Sequence, residues 1–244
     1  MVIERAVDIL FPRACAGCGA GPWPLCQRCV SGLVPLEPPW CRRCGRPSRT
    51  DVDRCPDCPP GSVASVRSAF AYRGPAREAV HRLKFSGWRG VGEALAAALA
   101  ALGPPPADAV TWVPLAPRRR AERGFDQARV LAQALARELR LPAAAYARRV
   151  TATSPQSRRT REERLRAMGG AFAGIPRRPA PPRLLLVDDV LTTGATASAC
   201  AAALNQAGAR EIHVLTACRS FSDLPPSNRP PTDQPYGPRG SRRP

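Results

Sequence analysis

Residues 184–196 read LLLVDDVLTTGAT, and this stretch restricts the fold of the chain more tightly than any other. Leu184, Leu185, Leu186 and Val187 form a short unbroken apolar run, the pattern of a strand covered on both faces. Two acids, Asp188 and Asp189, follow at once, and the chain then turns through Thr192, Thr193, Gly194, Ala195 and Thr196. An Ala-rich segment comes next and is stopped by Gly208, as a helix would be. The predicted order is thus strand, acid pair, small hydroxyl loop, helix. Such a loop leaves backbone N–H groups unpaired at a helix N-terminus, where they favour a phosphate. Carboxylates beside a phosphate would repel it, so the two acids are better employed accepting hydrogen bonds from hydroxyls. A sugar phosphate meets both demands, with hydroxyls on the acids and phosphate on the loop.

Two other uses of an LLLVDD strand fail on composition. A P-loop nucleotide site needs a G-K-[ST] element, but the only lysine in the chain is Lys84 and Phe85 follows it. A phospho-acceptor receiver domain, which depends on a lysine after its acids, fails for the same reason. The stretch does resemble the phosphoribosyl pyrophosphate (PRPP) motif of type I phosphoribosyltransferases, over thirteen consecutive residues. That resemblance implies that Asp188 and Asp189 hold the ribose 2′- and 3′-hydroxyls. It also implies that Thr192, Thr193, Gly194, Ala195 and Thr196 wrap the 5′-phosphate.

Residues 12–60 have a different character. Their cysteines come as four C-x-x-C pairs: Cys15 and Cys18, Cys26 and Cys29, Cys41 and Cys44, Cys55 and Cys58. Each pair can place two sulfurs on one ion, and two pairs complete a tetrahedral four-cysteine zinc site. Aliphatic and aromatic residues are too sparse here for a core without metal or disulfides. In a chain that lacks a secretory signal, metal is the better choice. Sequential pairing, first with second and third with fourth, is the preferred arrangement, with a cross-braced one left open. Both zincs are expected to be structural, since four sulfurs leave no open position. Cys200 and Cys218 read as small buried hydrophobes.

At 244 residues the chain can hold one sizeable core and a small accessory module. The formal charge is +18, and eight thiolates on two zinc ions lower it only to about +14. Such a balance points to a polyanionic partner. The segment at residues 1–11 carries Glu4 and Asp8 inside its apolar pattern, which speaks for a short amphipathic helix rather than a signal peptide. The longest apolar run is nine residues, too short for a membrane span, so a cytoplasmic location is expected. From residue 61 strands alternate with helices. That argues for an α/β domain with a mostly parallel sheet whose ligands sit at the strand C-termini. This domain is predicted to run to about residue 220, before a Pro- and Arg-rich tail over 221–244 that is expected to be disordered.

A second loop follows a predicted strand at residues 113–127 and carries Arg118, Arg119, Arg120 and Arg123. Arginine forks bind phosphate oxygens in pairs, and this loop should open on the same sheet edge as Asp188. Here the resemblance becomes one to a family. VPL and RRR with RGFDQA at 113–128, the four cysteine pairs, HRLKFSG at 81–87 and VDDVLTTGAT together look like the ComF family. These are proteins with an N-terminal double zinc ribbon and a type I phosphoribosyltransferase-like domain, associated with DNA uptake. The resemblance implies PRPP and Mg2+ as ligands, with Arg118, Arg119 and Arg123 on the pyrophosphate. It also implies a mobile lid bearing Gln156, Arg158, Arg159, Arg161 and Arg164. Two departures stand out. Asp126 replaces the family's usual Asn, and Ala167 stands where an Asn commonly follows.

Two functions remain open from the sequence. In the first, PRPP is attacked at C1 by a nitrogen nucleophile and pyrophosphate leaves, with Asp188 and Asp189 stabilising charge on the ribose. In the second, PRPP is a ligand only and the basic surface binds single-stranded DNA, although 13 aromatic residues make a thin supply of stacking platforms. His81 and His213 have no nucleophile beside them in sequence and read as structural.

Overall fold

The structure is a computed structural model that describes residues 14–56, 58, 61, 63–150 and 170–221. The predicted N-terminal helix, the lid arginines with Gln156, Ala167 and the tail lie outside the described residues.

Four parallel strands form the central sheet: β1 (Ser65–Ala71), β2 (Ala109–Trp112), β5 (Arg183–Leu191) and β6 (Glu211–Arg219), in the order β1-β6-β5-β2. The alternating pattern predicts this layout. The helices are α1 (Gln27–Ser31), α2 (Gly74–Phe85), α3 (Gly90–Ala101), α4 (Pro117–Arg123), α5 (Gln127–Leu139) and α6 (Ala195–Gln206). Two short strands, β3 (Ala147–Arg149) and β4 (Phe172–Gly174), pair antiparallel beside the main sheet.

β5 lies between β6 and β2, and Leu184, Leu185, Leu186 and Val187 are fully buried. Their side chains alternate between two cores, as a pleated strand requires. Leu185 and Val187 pack with Leu83 of α2, Leu95 of α3 and Leu131 of α5. Leu184 and Leu186 pack with Cys200 and Leu204 of α6 and with Phe172 of β4. Cys200 and Cys218 are both fully buried, as predicted. Burying a large aliphatic side chain contributes about 1.5–3 kcal/mol, so this run anchors the domain from both faces.

Two local predictions are corrected. The acids do not follow the strand; they lie within it. Parallel pairing with β6 continues from Asp188 opposite Thr216 to Leu191 opposite Arg219, which keeps the backbone extended past the apolar run. The arginine segment is also not a plain loop, because α4 forms inside it. Pro117 supplies the first-turn φ that a helix needs, and Gly124 closes the helix in the left-handed region at φ 73°.

The cysteine segment packs on the β1 side of the sheet. Ala71 N donates to Val34 O at 2.8 Å and Leu36 N to Ala69 O at 3.0 Å, so the chain between the two ribbons runs beside β1. Trp23 meets Trp88 edge-to-face at a centroid distance of 5.2 Å. Val66 N donates to Arg43 O at 2.7 Å, and the buried Arg219 guanidinium donates to Cys44 O.

Candidate functional site

The eight ribbon cysteines form two groups of four: Cys15, Cys18, Cys26 and Cys29, then Cys41, Cys44, Cys55 and Cys58. The sequential pairing preferred from spacing is the one observed. Within each group the sulfurs lie within 4.8 Å of one another. Individual separations are 3.8 Å for Cys18–Cys26, 3.4 Å for Cys41–Cys58 and 3.5 Å for Cys44–Cys55. A disulfide needs about 2.05 Å, whereas sulfurs bound at ~2.3 Å to one tetrahedral ion stand about 3.8 Å apart. Backbone N–H groups also point at the sulfurs, Cys26 N at Cys15 Sγ (3.2 Å) and Cys55 N at Cys41 Sγ (3.2 Å). Burial opposes ionisation of Cys15 and Cys41, but these N–H donors outweigh it and lower both thiols to about 6. Burial and the neighbouring sulfurs instead push Cys55 and Cys58 up, so one thiolate in each group is favoured by the fold and a zinc ion's charge would hold the others.

The second cluster sits at the C-terminal end of β5. Asp189 is buried, and its Oδ1 lies 2.8 Å from the ammonium of Lys84 in the last turn of α2. Its Oδ2 is buried and accepts no hydrogen bond from the described residues. Asp188, half-buried, accepts the Asp189 N–H at 2.8 Å on Oδ1. Loss of solvent, then the neighbouring Asp189 charge, pushes the Asp188 carboxyl well above the usual carboxylate range. Burial would lower Lys84, but Asp189 by charge and hydrogen bond, with Asp188 behind it, raises the ammonium instead. Past the strand, Gly194 takes φ 80°, a left-handed conformation that favours glycine, and caps α6. Thr193 Oγ1 accepts from Ala195 N at 3.3 Å, and Thr192, Thr193 and Thr196 all retain solvent exposure.

Arginines face this acid pair. Arg123, half-buried, lies over the Phe85 ring at 4.7 Å and donates to Gln127 Oε1 at 3.1 Å. Burial lowers its guanidinium, and the Asp189 charge works against that lowering. Arg149 of β3 is placed likewise, with Asp188 favouring its charge. Burial, and behind it the like charge of Arg119, lowers both Arg123 and Arg149. Arg118 instead pairs with Glu122 at 2.9 Å on the exposed face of α4.

Asp126 explains one departure from the family pattern. It caps α5, with Oδ1 accepting from Ala128 N (3.1 Å) and Arg129 N (3.3 Å) and Oδ2 accepting from Leu115 N (3.0 Å). All three contacts need an acceptor, so the carboxylate serves them without the donor an amide would carry. His213 is structural, between Ser65 Oγ (2.7 Å) and Glu211 Oε1 (3.0 Å).

The sequence marks Lys84 as a candidate phosphate or nucleic-acid contact or a solvated helix end, not as a partner of the acids, and leaves Arg149 outside the site. The first carried a signal, as the only lysine in an arginine-rich chain; the second carried none. Among the described residues the two four-cysteine groups are the only clusters of three or more side chains suited to a metal. The acid pair is not among these clusters, and its Oδ1 atoms are held by Lys84 and by the Asp189 N–H.

These features define a class: an α/β domain with a parallel sheet, an acid pair and a hydroxyl loop at the end of its central strand, joined to two four-cysteine zinc ribbons. The double zinc ribbon domain family matches residues 6–59. The DNA utilization protein YhgH of Escherichia coli strain K12 is 32% identical over 214 residues, covering 82% of this chain and 92% of that protein. The protein of the same name from Salmonella typhi is 32% identical over 212 residues, 81% of this chain and 89% of its own length. The chain belongs to this family, the ComF family. Solved structures are similar more distantly. Glutamine PRPP amidotransferase from B. subtilis is 22% identical with a TM-score of 0.37 over 51% of this chain and 25% of that one. TT1426 from Thermus thermophilus is 23% identical with a TM-score of 0.33 over 56% and 76%. Among the described residues no helix is long and apolar enough to cross a membrane.

Proposed function

We propose that this protein binds PRPP at the C-terminal end of β5 and acts in the handling of DNA. The observation that carries the reading is the acid pair and hydroxyl loop on one strand end, with Arg123 and Arg149 within electrostatic reach of the acids. Asp188 and Asp189 accept hydrogen bonds from the ribose hydroxyls, with Asp189 Oδ2 an acceptor in wait for one. Thr192, Thr193, Gly194, Ala195 and Thr196 surround the 5′-phosphate at the start of α6, an end of a helix that favours an anion. Arg119 and Arg123, joined by Arg149, receive the pyrophosphate. The like charges of these arginines disfavour one another, and an anion bound among them would relieve that, which supports a polyanionic ligand. Arg118 serves the approach rather than the contact. Mg2+ belongs to the substrate in this reading and arrives on the pyrophosphate.

If transfer occurs, a nitrogen nucleophile attacks C1, the C1–oxygen bond breaks, and pyrophosphate leaves with its electron pair. Asp188 and Asp189 then stabilise positive charge on the ribose, and the arginines stabilise the leaving group. The second reading, binding without transfer, is favoured by the net charge of +18 and by relatives named for DNA utilization. In that reading the basic surface takes single-stranded DNA by counterion release, and PRPP is a ligand. A pyrophosphate-release assay on the zinc-loaded protein, across nitrogen acceptors and with single-stranded DNA, separates the two. Acceptor-dependent release establishes the transferase. Salt-dependent DNA binding without release establishes the binding protein. We place the zinc ribbons in residues 12–60, the phosphoribosyltransferase-like domain in 61–220, and the protein in the cytoplasm.

A further inference from the structure

We propose that Lys84 is a built-in cation that stands in place of a divalent metal at the acid pair. The site would then take the cis-diol of a ribose 5-phosphate ester without Mg2+. This rests on the ribose-phosphate reading above and adds what supplies positive charge at the diol.

The geometry carries it. Lys84 is the only lysine in the chain, and the C-terminal turn of α2 delivers its ammonium 2.8 Å from Asp189 Oδ1. Lys84 is 19% exposed and Asp189 6% exposed, so the pair is largely out of water. Asp189 Oδ2, equally buried, is left without a donor among the described residues. An ammonium has three N–H donors and the ion pair uses one. A sugar hydroxyl arriving here can donate to the vacant carboxylate oxygen while accepting from the ammonium, which satisfies both partners at once.

A divalent ion has no comparable place. Mg–O bonds are ~2.1 Å, so an ion on the vacant Asp189 Oδ2 would stand no more than about 7 Å from the ammonium. Repulsion between the two cations would act with little solvent to screen it. Arg123 and Arg149 add further positive charge around the same acids. Among the described residues the acid pair is not part of any cluster of three or more metal-ligating side chains, and Asp126, whose charge reaches Asp188, spends both its oxygens on backbone N–H groups. A requirement for Mg2+ therefore belongs to the pyrophosphate of PRPP and not to the diol.

The test uses full-length zinc-loaded protein in buffer freed of divalent ions by resin, so that no chelator removes zinc. Ribose 5-phosphate is titrated calorimetrically with and without millimolar Mg2+, and Mn2+ binding is followed by electron paramagnetic resonance. For the unaltered protein the expected dissociation constant is the same in both buffers, with no Mn2+ taken up. Lys84→Met should weaken ribose 5-phosphate by about tenfold to hundredfold, the loss of one charge-assisted hydrogen bond. The same variant should take up Mn2+ and recover affinity when Mg2+ is added. Lys84→Arg, which keeps a cation, should stay metal-independent. Mg2+-dependent binding by the unaltered protein, Mn2+ uptake by it, or an unchanged Lys84→Met each overturn the assignment. Failure of every form to bind ribose 5-phosphate overturns the ribose-phosphate reading itself.

Discussion

Removing the ammonium from Lys84 should be among the most damaging single changes outside the zinc ribbons. Lys84→Met keeps length and apolar volume but leaves Asp189, which is 4% exposed overall, charged and unpaired beside Asp188. Breaking a buried pair from one side costs about 3–5 kcal/mol. Lys84 retains 19% exposure, which argues for the lower end, ~3 kcal/mol. At roughly 2–4 °C per kcal/mol for a chain of this size, the melting temperature should fall by roughly 6–12 °C. Removing both charges is different, because a buried pair replaced by apolar groups is often neutral. Lys84→Met with Asp189→Leu should therefore return to within about 1 kcal/mol of the unaltered protein. The pH dependence follows from the sign of the shift. The folded ammonium titrates above its ordinary value of 10.5, so its contribution is complete at neutral pH and disappears only as pH rises through the folded value. Thermal and urea unfolding of the four members of the cycle, with zinc present, measure the coupling. A loss under about 1 kcal/mol for Lys84→Met, or a double variant as unstable as the sum of the singles, would refute the reasoning.

Other outcomes follow from the same contacts. Gly45 takes φ 64°, and a Cβ there would stand 2.5 Å from Val66 O, so Gly45→Ala should cost about 1–3 kcal/mol in thermal unfolding. Asp126→Ala loses the α5 cap and strands Leu115 N–H, about 2–4 kcal/mol together, while Asp126→Asn loses only the Oδ2 contact and should cost about 1 kcal/mol. Cys44→Ser weakens the second zinc site, which Arg219 and Val66 tie to β6 and β1; hydrogen exchange should quicken in both strands near these two residues. Arg119→Ala with Arg123→Ala should weaken PRPP by about tenfold or more and leave ribose 5-phosphate nearly unchanged by calorimetry.

What could be read in advance depended on whether the causes were local. The run at 184–187 is apolar without a break, and only a strand covered on both faces uses such a run, so its burial was legible. The cysteine pairs were legible because two sulfurs three residues apart already define half a metal site. The end of β5 was not, since its extension through Asp188 to Leu191 comes from pairing with β6, a partner distant in sequence. The short helix α4 was hidden because consecutive arginines suit an exposed helix and an exposed loop equally well. Lys84 reaches Asp189 across more than a hundred positions, and no local pattern announces such a pair. Arg149 joins the site only because β3 packs beside it. The identity of each component was thus written locally, and their convergence was written in the topology.

The most direct measurement is a calorimetric titration of PRPP with Mg2+ into the zinc-loaded protein and into the Asp188→Asn, Asp189→Asn double variant. Saturable, one-site binding is expected for the unaltered protein, and the double variant should lose it while its zinc content stays the same. Equal binding by both proteins, or none by either, would contradict the assignment of the acid pair to the ribose.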